Sequence, residues 1–558
     1  MNAAVVVVVV LAAYLLAYRF YSRFLSQRVF GLAREEPVPS REQEDGIDYV
    51  PTKLHVLWGH HYTSIAGAAP IVGPALAVIW GWLPALVWVV LGTIFMGAVH
   101  DFGALVISLR NRGRSIADIA ASVVSPRART LFLLVISFLI WIVLAVFAYI
   151  IATLFVQFPS AIFPINIQIL VALALGWLVY RLRVPILLPS LAGFGILLCA
   201  VFLGEWSVRA FPSLAGISVL TWTILLLVYS FVSSVLPVRV LLQPRDYLNS
   251  HQLILALLLL GAGIFVLRPE IVAPALNLSA EGSPPLLPFL FITIACGAIS
   301  GFHGLVSSGT TSKQIGRMTD ARPIGYGGML GEGTLGLFAV IATTAGFASA
   351  QDWWVHYGSW GAASGLGPKL GAFVDGGARF AGALGVPLAT AKTLIAVTVV
   401  AFAATSLDTG ARIQRLIIVE LAEAWKFKPL TNRYAASATG ILAALLLAAT
   451  QAGGEGGLIL WPLFGTTNQL VAGVTLLVIS VWLRRSGRPY LYTFVPMVLI
   501  AVVTFVAMLG EVSSHLGAGN WLLAASGSAI LILDVWLLGE GVAAFSKRPP
   551  GPAQAPVG

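Results

Sequence analysis

Charge is scarce in this chain: 10% of its 558 residues are Asp, Glu, Lys or Arg, against about 25% in soluble domains. Cysteine is scarcer still. Cys199 and Cys296 stand in no CxxC or Cys/His spacing, which excludes a disulfide framework, offers no zinc pattern and makes both plain core residues. A P-loop lysine motif and an HExxH helix are both missing, so ATP hydrolysis and zincin proteolysis have no support. What fills the chain is apolar length. With 58% hydrophobic residues it reads as an all-α polytopic membrane protein. The formal charge of +10 sits in short loops rather than on one exposed face, which speaks for membrane topology and against nucleic acid.

Apolar runs predict about fifteen spans, near 3–24, 58–80, 84–110, 130–156, 166–182, 186–204, 214–238, 251–268, 286–311, 325–350, 388–424, 434–452, 457–483, 489–510 and 519–545. A glycine-rich stretch over 361–385 reads as a re-entrant or surface helix. Residues 1–30 form a retained N-terminal span and 31–57 a cytoplasmic loop. Alternate loops hold 26 of the 33 basic residues, Arg34, Arg239, Arg245 and Arg548 among them, and the intervening loops hold four. That alternation predicts the N-terminus outside and the C-terminus in the cytoplasm.

The second predicted span contains Gly59-His60-His61-Tyr62-Thr63-Ser64-Ile65-Ala66-Gly67-Ala68-Ala69-Pro70-Ile71-Val72-Gly73-Pro74. Two prolines and three glycines in this stretch deny it a continuous hydrogen-bond ladder. Open backbone at membrane depth is tolerated only inside protein or beside a wet cavity, so the break marks a candidate binding site. The ninth span, running the opposite way, carries its own interruptions at Gly297, Gly301-Phe302-His303-Gly304 and Ser307-Ser308-Gly309-Thr310-Thr311. Interrupted spans at matching places in oppositely oriented halves are the signature of a transporter built from inverted repeats, over 58–268 and 269–558.

The substrate-contact candidates are Ser64, Ala66, Gly67, Ala68, Gly301, His303, Gly304, Ser307, Ser308, Asn468 and Gln469. Small residues let a ligand approach the backbone, and half-helix ends suit ions. For cation or proton coupling the candidates are Asp101, Glu332, Thr405, Ser406 and Asp408, because intramembrane acids are costly. Thr405-Ser406 offers two adjacent hydroxyls that complete an oxygen shell for sodium, a role a proton-bearing Asp408 can replace. The bland readings are ion pairs: Asp101 with Arg110 or Arg112, and Asp408 with Arg412 at i+4. The charged end of the eleventh span, from Arg412 to Glu423, reads as cytoplasmic. Gly331-Glu332-Gly333-Thr334-Leu335-Gly336 matches a dinucleotide fingerprint, but no strand precedes it, so no cofactor is expected. His55, His60 and His61 have no adjoining carboxylate or thiol, and no metal site is expected. No nucleophile and base pair emerges, which argues against an enzyme.

Asp45-Gly46-Ile47-Asp48-Tyr49-Val50-Pro51 through Gly59-His60-His61 and the Ile65-to-Pro74 break resembles the carbon starvation protein A (CstA) family. Further blocks carry the same likeness: Gly97-Ala98-Val99-His100-Asp101-Phe102, Arg110-Asn111-Arg112-Gly113-Arg114-Ser115, Ser300-Gly301-Phe302-His303, and Leu460-Trp461-Pro462-Leu463-Phe464-Gly465-Thr466-Thr467-Asn468-Gln469. The resemblance runs from about residue 40 to 480. It implies an inner-membrane secondary transporter of peptides, or of pyruvate with protons, and a LeuT-like core of the amino acid–polyamine–organocation superfamily with two discontinuous helices. The partners it implies are a peptide or small-molecule substrate, a proton or sodium ion, and membrane lipid. A membrane-embedded nutrient sensor is the rival from another class, and the short loops offer it no signalling surface.

Overall fold

A computed structural model describes residues 1–33, 36–451 and 453–547; Arg34 and Arg548 of the charge count lie outside the described residues. Helices make up the architecture, and the described residues form isolated bridges rather than strands. Ten helices are long and apolar enough to cross a membrane, and two bent pairs raise this to 12 among the described residues. One pair is the expected break, Leu54–Ile65 and Ala69–Trp80, bent by 46°. The other, Leu187–Phe202 with Gly204–Ala210 at 57°, was not foreseen. The three remaining expected spans also carry helix but fall short of the length test. Val219–Val235 and Arg433–Ala448 are apolar yet have 17 and 16 residues. The 286–311 span is split into Leu286–Thr293 and Gly301–Gly309 by an unwound segment.

Two helices differ from expectation. The eighth span begins at Leu242 rather than near 251, which brings Gln243, Arg245, Asp246 and Asn249 into the buried interior. Leu366–Gly382, expected as a re-entrant or surface helix, buries Leu370, Phe373, Val374 and Phe380 against Leu242–Leu267 and Leu388–Ala424. Its apolar residues recur at helical spacing, so one face has to be covered.

The centre of the molecule is the pairing of Pro126–Gln157 with the unbroken 37-residue helix Leu388–Ala424. The charged end of that long helix is packed against the rest of the protein. Arg412 is fully buried and donates from Nη1 to Asp48 Oδ1 at 2.5 Å, and Arg415 Nη2 reaches the same oxygen at 3.1 Å. The segment holding Asp48 is sewn to several parts of the fold. Val50 N donates to Lys313 O at 3.0 Å, Thr52 N to Gln314 O at 3.0 Å, and Val238 N to Ile47 O at 3.3 Å.

Burial pushes the Asp48 carboxyl up, but the Arg412, Arg415 and Lys313 charges outweigh it and hold the group well below the usual carboxylate range. Replacement by Asp48→Asn leaves a buried guanidinium without its anion and is expected to cost about 3–5 kcal/mol, read as a lower thermal midpoint in detergent. A depressed carboxyl contributes stability that is complete above its ordinary pKa and lost as pH falls, so the gap between wild type and variant narrows below about pH 4.

Candidate functional site

The two interruptions meet. Helix Leu54–Ile65 stops at Ala66, where Gly67 N turns back to Ile65 O at 2.8 Å, and Ala69–Ala77 restarts with Pro70 in its first turn, where the missing N–H costs nothing. A Cβ on Gly73 would run into the Thr293 carbonyl, and Gly297, at φ +92°, lies against Pro70 and Pro74. Only glycine allows the two backbones this approach.

Groups freed at the second break are met by side chains from other spans. Trp88 Nε1 donates to Ile294 O at 3.1 Å and Thr93 Oγ1 to Gly297 O at 3.0 Å. Glu332 Oε1 accepts from Gly297 N at 2.9 Å, and Asn468 Oδ1 accepts from Phe302 N at 3.0 Å. At the first break Ser406 Oγ donates to Ser64 O at 3.1 Å and Thr409 Oγ1 to Ser64 Oγ at 3.2 Å. A Cβ on Gly67 would lie 2.6 Å from Ser406 Oγ. Ala66 and Ala68 are buried beside it, and Gly301 lies against the Asn468 carbonyl.

His303 joins two of the coupling candidates. Its Nδ1 is 3.0 Å from Asp101 Oδ2 and its Nε2 is 3.1 Å from Glu332 Oε2, while Asp101 Oδ1 is 2.7 Å from His100 Nδ1. All four side chains are buried. Gly304 makes room for the His100 ring. The expected pairing of Asp101 with Arg110 or Arg112 does not form. Arg110 lies nine residues on, about two and a half turns, and therefore on the opposite face; it donates to Glu36 at 2.9 Å. Arg112 lies beyond the helix end at φ +60°.

A second ionic cluster was missed in the sequence. Asp408 does not pair with Arg412. It receives Arg245 Nη1, Tyr229 Oη at 3.1 Å and Ser233 Oγ at 2.9 Å. Arg245 also reaches Tyr229 Oη at 2.7 Å, Thr405 Oγ1 at 3.3 Å and Asp246 Oδ1 at 3.4 Å. Asp246 Oδ2 in turn lies 2.5 Å from His60 Nδ1, so His60 does have a carboxylate beside it. His61 Nδ1 instead meets Thr311 Oγ1 at 2.9 Å. Thr405 and Ser406 diverge, because successive helical residues point about 100° apart: Thr405 faces Arg245 and Asn249, and Ser406 alone faces the break. The signal available was the polar stripe Arg245, Asn249 and Gln252, at i, i+4 and i+7.

The remaining candidates lie around the second break. Ser308 Oγ donates to Gly304 O at 2.7 Å and accepts from Ile116 N at 3.1 Å; Ser307 Oγ is buried without a partner among the described residues. Gln469 Nε2 holds Phe291 O at 2.5 Å, on the helix before the break.

The family model of the carbon starvation protein CstA matches residues 2–351 and 362–507. The chain belongs to the CstA family. Its CstA-family relatives include the "Peptide transporter CstA" of Bacillus subtilis, 35% identical over 512 residues, covering 86% of this chain and 85% of that protein. The protein of the same name from Campylobacter jejuni is 33% identical over 92% of this chain and 81% of its own length. The "Pyruvate/proton symporter BtsT" of Escherichia coli is 39% identical over 348 residues, 61% of this chain and 48% of that protein. Among solved structures, the Eremococcus coleocola manganese transporter in complex with an aromatic bis-isothiourea substituted compound superposes with a TM-score of 0.50 at 12% identity, covering 90% of this chain and 98% of that one. That likeness concerns the fold: a transporter scaffold.

Removing Arg245 leaves Asp408 buried without a cation and Asp246 with His60 alone. Arg245→Leu is expected to destabilise the protein by about 3–5 kcal/mol, and the double variant Arg245→Leu/Asp408→Leu to recover much of that loss. Thermal midpoints of the purified proteins in one detergent check the cycle.

Proposed function

We propose that this chain is a secondary-active, proton-coupled importer of small peptides in the inner membrane, with its N-terminus outside and its C-terminus in the cytoplasm. Access alternates around the meeting point of the two broken spans, which begin inverted repeats over 58–268 and 269–558. The observation that carries this reading is the convergence of both interruptions with buried titratable side chains, His303, Asp101 and Glu332, at the second break. Ser64, Gly67 and Ser406 offer the substrate hydrogen-bonding and close-approach surface at the first.

Asp408 is the coupling carboxylate in this reading. Arg245, Asp246 and Asp408 together hold one excess negative charge when all three are ionised. One proton on Asp408 makes the cluster neutral and loosens its hold on Arg245, Tyr229 and Ser233. Uptake of a proton is thereby tied to a rearrangement between Leu388–Ala424 and Leu242–Leu267.

Pyruvate is the second reading, favoured by the 39% identity to a relative named as a pyruvate/proton symporter. Counterflow in proteoliposomes with labelled alanyl peptides and labelled pyruvate separates the two; movement of neither, under proton or sodium gradients, refutes both. Asp408→Asn is expected to abolish proton-driven uptake while leaving exchange intact. Unchanged driven uptake moves the role to Asp101, Glu332 or His303.

A further inference from the structure

We propose that Cys296, His303 and Glu332 form a binding site for a thiophilic divalent transition ion, of which Zn2+ is the type. The proposal goes beyond transport and stands without it. One donor atom from each residue lies within 4.8 Å of the other two, and all three residues are buried. Cys296 sits in the unwound segment, His303 in the first turn of Gly301–Gly309, and Glu332 on the helix beside them. The unwinding creates the arrangement; a continuous helix would turn residues 296 and 303 about two turns apart and hold them along its axis.

His303 Nε2 and Glu332 Oε2 are 3.1 Å apart, yet each lacks a hydrogen-bond partner among the described residues, because they are not aligned for one. That spacing is close to the roughly 3.4 Å edge of a tetrahedron whose ligands lie about 2.0–2.2 Å from a central Zn2+. Each donor is also held from behind. Asp101 Oδ2 takes His303 Nδ1 at 3.0 Å, the carboxylate–histidine arrangement that orients a metal ligand. Gly297 N fixes the other Glu332 oxygen at 2.9 Å, and Asn468 Nδ2 approaches Cys296 Sγ at 3.4 Å.

The donor set selects the class of ion. Sulfur and imidazole suit zinc and its transition-metal neighbours rather than Mg2+ or Ca2+. On binding, the Cys296 thiol gives up to solvent the proton it now directs at Ser300 Oγ, 3.3 Å away. The 2+ ion offsets the two negative charges that the thiolate and the Glu332 carboxylate bring to the site, which lowers the cost of holding them at membrane depth. Three protein ligands leave a fourth position for water or a ligand group. A bound ion would pin the unwound segment to the Glu332 helix and so hold the second break in one conformation.

The test uses Co2+ as a spectroscopic probe on the purified, tag-free full chain in detergent. Wild type is expected to bind Co2+ with a thiolate-to-metal charge-transfer band that Zn2+ abolishes by displacement. Cys296→Ser removes the band, Cys199→Ser retains it, and Asp101→Asn weakens Zn2+ affinity by about 10–100-fold. Absence of the band in wild type, its survival in Cys296→Ser, or its loss in Cys199→Ser overturns the site. The wild-type measurement stands even if a variant fails to fold. Counterflow by the same protein reconstituted into proteoliposomes reports separately: transport without the band removes the metal site alone, and the band without transport removes the transport reading alone.

Discussion

An N–H or carbonyl released from a helix at membrane depth has no water to turn to, and that constraint organises this protein. Each interrupted span frees several such groups, and the rest of the fold supplies them with partners. Ser406 and Thr409 serve Ser64, while Trp88, Thr93, Glu332 and Asn468 serve the segment around Gly297. Helices remote in sequence are thereby drawn to the same place. The five-residue π-turn at Thr93–Gly97 is part of this: it starts at the residue whose hydroxyl reaches Gly297.

Charge obeys the same rule. The buried acids Asp101, Glu332 and Asp408 each have a basic neighbour, and the two clusters they form lie on opposite broken spans: His303 on one, His60 on the other. Neither cluster is a simple ion pair. Each sets two carboxylates around one central basic side chain, His303 or Arg245, with a second imidazole, His100 or His60, on one of the acids, so the protonation of one acid decides how firmly the other is held.

The breaks were legible in the sequence because clustered proline and glycine interrupt a helix even at membrane depth, and both regions are interrupted and adjoin. His303, Asp101 and Glu332 were legible singly, as ionisable residues in apolar surroundings; their convergence was not, because it depends on how the unwound segment folds back. Arg245 was misplaced for a physical reason. A run of polar residues at the start of a helix looks like a loop to any measure of apolar length, although its period of three and four points inward. The pairing of Asp48 with Arg412 joins residues 364 apart in the chain and leaves no local trace. Residues 296, 303 and 332 come together through the same unwound segment and follow no short motif.

The uninterrupted course of Leu388–Ala424 has a mechanical consequence. Ser406 grips the first break, and Arg415, about 14 Å further along the same rod, is tied to the segment holding Asp48. A rod without a hinge between those two points tilts as one piece. Displacement at the first break therefore has to be felt where Asp48 holds the far end, and slack at one end is unavailable without slack at the other.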